Sequence, residues 1–171
     1  SFRSKPYLDP LNRPRDGILI VEGQKLHVNK QSLAAQSSYF NALFFGGFKE
    51  SNESEIEIKD VDPEDLDNLI RLTYDLDGQS MNMDNVEKMV HLAGIFDLKI
   101  VEDKAVNFLL GYKNLSIHQK LLISERLGLQ KYKVVFILKY NNRENLIELG
   151  FSEEFAQLSP ETIRILFIKA C

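Results

Sequence analysis

Cysteine is almost absent from this sequence: the single one, Cys171, is the last residue. An internal disulfide is therefore excluded, and the composition fits a reducing compartment. No run approaches the roughly 20 apolar residues that a membrane-spanning helix needs. No succession of basic, apolar and small residues predicts a signal peptide. We therefore predict a soluble intracellular protein, located in the cytoplasm or the nucleus.

A strong net charge is also missing. The chain has 21 lysines and arginines against 25 aspartates and glutamates, which gives a formal charge of −4. Proteins that bind nucleic acids or anionic membranes usually present a broad cationic field. The charge balance therefore indicates neither of these partners.

Recognised patterns of catalytic residues are absent as well. The sequence contains no GxSxG elbow, no phosphate-binding P-loop and no GxGxxG fingerprint. Its three histidines, His27, His91 and His118, are far apart in the sequence, and the one cysteine, Cys171, lies near none of them. We predict that the protein is not an enzyme and that it has no catalytic residue, no metal site and no cofactor.

The residues that are present predict an α+β fold. Two short apolar runs flank the Glu22–Gly23 turn and indicate a β-hairpin, and alternation from Glu55 to Lys59 indicates a third strand. Aspartate, proline and acids at 62–65 are typical of a helix start. From Gly111 onward the pattern is wholly helical. We predict a small β-sheet covered by helices, followed by an all-α extension.

The stretch 26–50 is the most informative part of the sequence. It begins as a strand and continues as a helix. Leu33, Ser37, Phe40 and Phe44 recur every three or four residues and therefore share one face of this helix. Gly46–Gly47 then predicts the end of the helix. Phe48-Lys49-Glu50 follows, so a large apolar residue stands outside the helix, two positions before a carboxylate. This placement indicates a contact with a partner; the alternative is that Phe48 folds back on its own domain.

In residues 16 to 110 the sequence resembles a BTB (also called POZ) domain. The resemblance is carried by Asp16 ahead of ILIV, the Glu22–Gly23 turn, LHVNK, SSYFNALF, EIEI and DPEDLDNLIRLTY. VEGQKLHVNK, with SSYFNALFFGGFKE after it, is most similar to the BTB domains of MATH-BTB proteins. The resemblance implies three parts: an N-terminal arm or linker at 1–15, a BTB domain at 16–110, and a BACK-like helical extension at 111–171.

The resemblance also implies binding to cullin-3. In MATH-BTB proteins an apolar-x-Glu motif after the first helix pair binds this scaffold, and the matching residues here are Phe48 and Glu50. By spacing from this motif, the family implies that Asp60 and Val61 lie beside the same surface. The alternative for Asp60 is a simple turn or cap aspartate ahead of Asp62–Pro63.

A homodimer is the second partner that the resemblance implies. The family dimerises through the N-terminal arm, the first strand and the helix that starts at Asn29. The implied interface residues are Tyr7, Leu8, Asp16, Lys30 and Leu33, with Asp16 and Lys30 matching a charged pair at the centre of many BTB dimers. Most BTB domains have histidine where this chain has Asn29, and asparagine can still cap the helix.

These features together predict a homodimeric adaptor that brings substrates to a cullin-3 ubiquitin ligase. Its protein substrate would bind through a domain not visible in this sequence. A self-association scaffold in transcription or the cytoskeleton, without a ligase, is one alternative. A tetramerisation module is another, and it predicts a four-fold assembly.

Overall fold

The computed structural model describes residues 15–47, 54–74, 81–139 and 143–170. Its sheet has three strands, β1 Gly17–Val21, β2 Gln24–Val28 and β3 Glu55–Glu57, in the order β2-β1-β3. β1 and β2 are antiparallel, whereas β1 and β3 are parallel. Positive φ angles of 46° at Glu22 and 76° at Gly23 close the predicted hairpin, as expected for a tight two-residue turn.

One face of the sheet belongs to the core. Leu19 is paired with Leu26 on one side and with Ile56 on the other, and all three side chains are buried. Ile18 and Ile20 point to the opposite face and are partly exposed, as the two-residue period of a strand requires. The alternation in the sequence therefore predicted which face is buried.

Two helices follow the hairpin, as the resemblance to BTB domains implied, whereas the residue period alone had predicted one. α1 spans Lys30–Gln36 and α2 spans Ser38–Phe45. The backbone of Ser37 between them is extended, with φ −144° and ψ 124°. Leu33, Ser37, Phe40 and Phe44 are all buried, but they do not share the face of a single helix, because the chain changes direction at Ser37.

Three longer helices follow β3. They are α3 Pro63–Tyr74, α4 Val86–Ile95 and α5 Lys99–Gly111. Asp62 caps α3, since its carboxylate accepts hydrogen bonds from the amides of Glu64 and Asp65 at 2.8 and 3.2 Å. The aspartate-proline-acid pattern therefore marked the helix start correctly.

The chain divides into two compact units, the first ending at Ala105 and the second beginning at Val106. The second unit is helical where it is described. It contains α6 Ile117–Arg126, α7 Gln130–Leu138, α8 Arg143–Gly150, a 3₁₀ turn at Phe155–Gln157 and α9 Pro160–Ala170. None of the described helices is both long and apolar enough to cross a membrane. The fold is α+β with a helical C-terminal part, which confirms the predicted class.

Candidate protein-interaction site

The site is built around α2, which an aromatic cluster holds in place. The Phe40 ring stacks between the rings of Phe44 and Phe96, at centroid distances of 5.7 and 5.5 Å. Tyr39 lies edge-on to Phe96 at 5.1 Å. Stacked and edge-on pairs of this kind contribute about 0.5–1.5 kcal/mol each beyond the area they bury. One face of α2 is therefore fixed against the corner between α4 and α5.

Two serines tie the start of α2 to the same corner. Ser37 accepts the amide of Phe40 at 3.0 Å and donates to the carbonyl of Phe96 at 2.5 Å. Ser38 donates to the carboxylate of Asp97, also at 2.5 Å. The hydrogen bond from Ser38 lowers the pKa of Asp97, because it stabilises the charged form. These contacts join residues that are 59 positions apart in the sequence. They fix the position of α2, because a helix of eight residues is not stable by itself.

Glycines end α2 where the sequence predicted. The amide of Gly46 donates to the carbonyl of Ala42 at 2.9 Å, and Gly47 has a φ of 76°. A Cβ at Gly46 would lie 2.3 Å from the oxygen of Ala42, closer than any side chain tolerates. Phe45, the last residue of the helix, keeps 57% of its surface exposed. An exposed aromatic side chain therefore directly precedes the glycine pair.

Four predicted partner-binding residues lie outside the described residues. They are Phe48 and Glu50 of the apolar-x-Glu motif and Tyr7 and Leu8 of the N-terminal arm. Their contacts remain predictions.

Asp60 and Val61 lie between β3 and α3. Asp60 is exposed and has a φ of 59°, a left-handed conformation that aspartate tolerates better than most residues. Val61 is buried, with 9% of its surface exposed. The cap of α3 is Asp62, so the carboxylate of Asp60 is not needed to start that helix and faces solvent at a turn.

Asp16 and Lys30 contact each other within the chain. The Asp16 carboxylate accepts the backbone amide of Lys30 at 2.8 Å. The Lys30 ammonium group instead lies 5.8 Å from the centre of the Phe44 ring, within the range of a cation–π interaction. Asn29 caps α1, since its side-chain oxygen accepts the amide of Ser32 at 2.7 Å. The expected cap at Asn29 is therefore confirmed.

An open groove of about 520 Å³ runs beside α1 and α2. Six residues line it: Asp16, Gln31, Ala34, Ala35, Asn41 and Phe45. Leu33, a predicted interface residue on the same helix, is fully buried within the chain and does not line the groove. The small side chains of α1 and the exposed ring of Phe45 form a concave, partly apolar surface, which is the kind of surface that a protein partner covers.

The described residues do not meet the requirements of a metal site. Within the described ranges, no group of three or more histidine, cysteine or acidic side chains could hold a metal ion. His27 lies exposed on β2 and His91 lies exposed on α4.

Comparison with known protein families identifies the domain. Residues 9–113, more than half of the chain, match the BTB/POZ domain. The chain belongs to the BTB/POZ family. Domains of this family generally act as non-catalytic adaptors that bind other proteins, so the groove and the end of α2 are the surfaces of interest.

Curated relatives of this BTB/POZ chain include nematode proteins with a second domain. It is 34% identical over 127 residues to BTB and MATH domain-containing protein 15 of Caenorhabditis elegans, a match that covers 74% of this chain and 45% of the relative. BTB and MATH domain-containing protein 38 of the same organism is 29% identical over 154 residues, 90% of this chain and 40% of the relative.

A further relative comes from another branch of the family. Human Kelch-like protein 7 is 32% identical over 94 residues, which cover 55% of this chain and 16% of that protein. The BTB/POZ chain therefore spans less than half the length of each of these relatives.

Reasoning from the sequence missed two parts of the site. The ties from Ser37 and Ser38 to Phe96 and Asp97 join residues 59 positions apart, and no local pattern predicts such a contact. The Ser37–Ser38 pair before an aromatic helix was a detectable cap signal, since serine is a preferred N-cap. The groove beside α1 had no signal of its own, because it depends on the packing of two helices.

Proposed function

We propose that this BTB/POZ protein is a homodimeric adaptor that binds the cullin-3 scaffold and brings substrates to a ubiquitin ligase. One observation carries the proposal. In this BTB domain, α2 is held by Phe40 and Phe96 and ends at Phe45, and the apolar-x-Glu sequence Phe48-Lys49-Glu50 follows after two glycines. An anchored helix end gives a following apolar side chain a defined starting point for contact with a partner.

The proposed contact uses an aromatic anchor and a carboxylate. Phe48 would fill a pocket between helices of cullin-3, and Glu50 would accept a hydrogen bond beside it. A buried aromatic anchor of this kind contributes about 2 kcal/mol or more to binding. The exposed Asp60 carboxylate and the adjoining Val61 would border the same contact.

The proposed dimer uses the groove beside α1. The small side chains of Ala34 and Ala35 permit close approach of a second copy, and the exposed ring of Phe45 offers apolar area to bury. Asp16 and Lys30 would lie near the two-fold axis, with Leu33 supporting them. The arm residues Tyr7 and Leu8 would pack across the partner.

The proposed adaptor does no chemistry itself. It would hold the scaffold and the substrate together, so that their effective concentration near a recruited ubiquitin-conjugating enzyme rises. A dimer would make the assembly bivalent. The names of the nematode relatives include a MATH domain, and we assign substrate recognition to a further domain of this type. This function requires an intracellular location.

Titration of this chain with the N-terminal domain of cullin-3 in a calorimeter tests the proposal. We expect Phe48→Ala to weaken binding about 30-fold, the equivalent of about 2 kcal/mol, and Glu50→Ala to weaken it less. Phe151→Ala and Glu144→Ala are matched controls, because both residues are exposed in the second unit. Wild-type affinity in both motif variants would remove the proposed contact.

The Asp60 contribution needs a variant that keeps the backbone. Asp60→Asn removes the charge but retains a residue that tolerates a φ of 59°. If the carboxylate faces the scaffold, affinity falls while the melting temperature stays within the range of the wild type. An unchanged affinity would mean that the Asp60 carboxylate does not contact cullin-3 and that the residue only forms the turn before α3.

Sedimentation equilibrium tests the dimer. One chain has a mass of 19.7 kDa, so a dimer has twice this mass and a tetramerisation module four times. We expect Ala35→Arg to yield monomers, because the added side chain would occupy the groove that Ala35 lines. Ala156→Arg is the control: Ala156 is exposed in the second unit, and this variant should remain a dimer. A monomeric wild-type chain would contradict the proposed dimer. A dimer that does not bind cullin-3 would favour the self-association scaffold.

A further inference from the structure

We draw no further inference here: the strongest candidate, the apolar cleft of about 110 Å³ between α8 and α9 with Phe151 and Phe167 exposed beside it, carries none because nothing in the structure shows what covers it.

Discussion

The start of α2, in the first compact unit of this BTB/POZ chain, and the start of α6, in the second unit, are held in different ways. In the first unit, contacts between residues far apart in the chain secure the elements: β1 pairs with β3, and Ser37 bonds the carbonyl of Phe96. In the second unit, several stabilising contacts are local, such as the capping box in which Ser116 and Gln119 bond each other's amides at the start of α6. A helix start that is tied to a distant segment is fixed in space, whereas a local cap fixes only the helix itself.

The units also differ in the apolar surface that they expose. Among the described residues, the first unit exposes three large apolar side chains, those of Tyr39, Phe45 and Ile95. The second unit exposes Val134, Leu138, Ile147, Phe151, Phe167 and Ile168. The first unit therefore has a nearly closed core with few exposed apolar side chains, two of which, Tyr39 and Phe45, lie on α2. The second unit has a less completely covered core.

Truncation of the central ring of the first unit should have the largest effect. Phe40 is fully buried between two other rings, so Phe40→Ala should lower the free energy of unfolding by about 3–5 kcal/mol. Urea denaturation followed by circular dichroism measures this loss. Ile95→Ala is the control, because this large apolar side chain of the same unit is 52% exposed and does not line the groove. Equal losses in the two variants would mean that α2 does not pack as described.

Removal of one serine cap from each unit tests the contrast between distant and local ties. Ser37→Ala loses a helix cap and a buried bond to Phe96, which should cost about 2 kcal/mol. Ser116→Ala loses an exposed capping box only, so about 1 kcal/mol or less is expected. Denaturation gives both values, and hydrogen exchange by mass spectrometry assigns each loss to its unit. A larger loss for Ser116→Ala would reverse the contrast.

Replacing a glycine of positive φ by alanine should cost the same free energy of unfolding in both units. Gly47 and Gly128 have φ angles of 76° and 68°, and an added Cβ at either would meet no atom within 4 Å. Gly47→Ala and Gly128→Ala should therefore each cost about 1 kcal/mol, since the left-handed conformation is unfavourable for alanine in any surroundings. Asparagine at the same positions should cost less. Thermal melts of the four variants make the comparison, and clearly unequal alanine values would point to contacts beyond the backbone.

The smallest effect should be the change of stability with pH that comes from one hydrogen bond of the second unit, between Glu125 and Ser159. The carboxylate of Glu125 accepts the amide of Ser159 at 2.7 Å. Burial alone raises the pKa of Glu125, but hydrogen bonds from Ser159 and Thr162 and the charge of Lys133 hold it below its ordinary value of 4.5. A lowered pKa in the folded state adds stability above pH 4.5, and this stability is lost as the pH falls through the lowered pKa.

Glu125→Gln tests this tie. The variant keeps an acceptor for Ser159 but cannot titrate, so its stability should fall less steeply than that of the wild type as the pH is lowered below 4.5. Near neutral pH the two proteins should differ by less than about 1 kcal/mol. Urea midpoints measured from pH 7 to pH 3 provide the comparison. Parallel curves for both proteins would show that Glu125 has no such role.

Local patterns predicted much of the fold because caps and strand alternation act over a few residues. Asp62 and Asn29 cap the helices that they precede, and Ser159 accepts the amide of Thr162 at the start of α9. The third strand is shorter than predicted: it ends at Glu57 rather than Lys59. The Leu33-to-Phe44 pattern identified four core residues correctly, but their period could not reveal the break at Ser37, since residues in two successive helices can bury similar faces.

The candidate site was less predictable. The resemblance to BTB domains paired Asp16 with Lys30; in the structure Asp16 accepts the backbone amide of Lys30, and the ammonium group lies near the Phe44 ring. A sequence shows which residue types are available, but it does not show which of their atoms are in contact. The roles of Phe48 and Glu50 stay predictions, to be decided by the binding measurements.

The sequence by itself determined the order of strands and helices, most of their starting residues and the membership of the BTB/POZ family, because these depend on short-range chemistry and on a recognisable succession of residues. Only the tertiary structure decided that α2 is held by a corner 59 residues away, that Leu33 is fully buried within the chain and that a groove opens beside α1. These features depend on packing between distant segments, which no local pattern encodes.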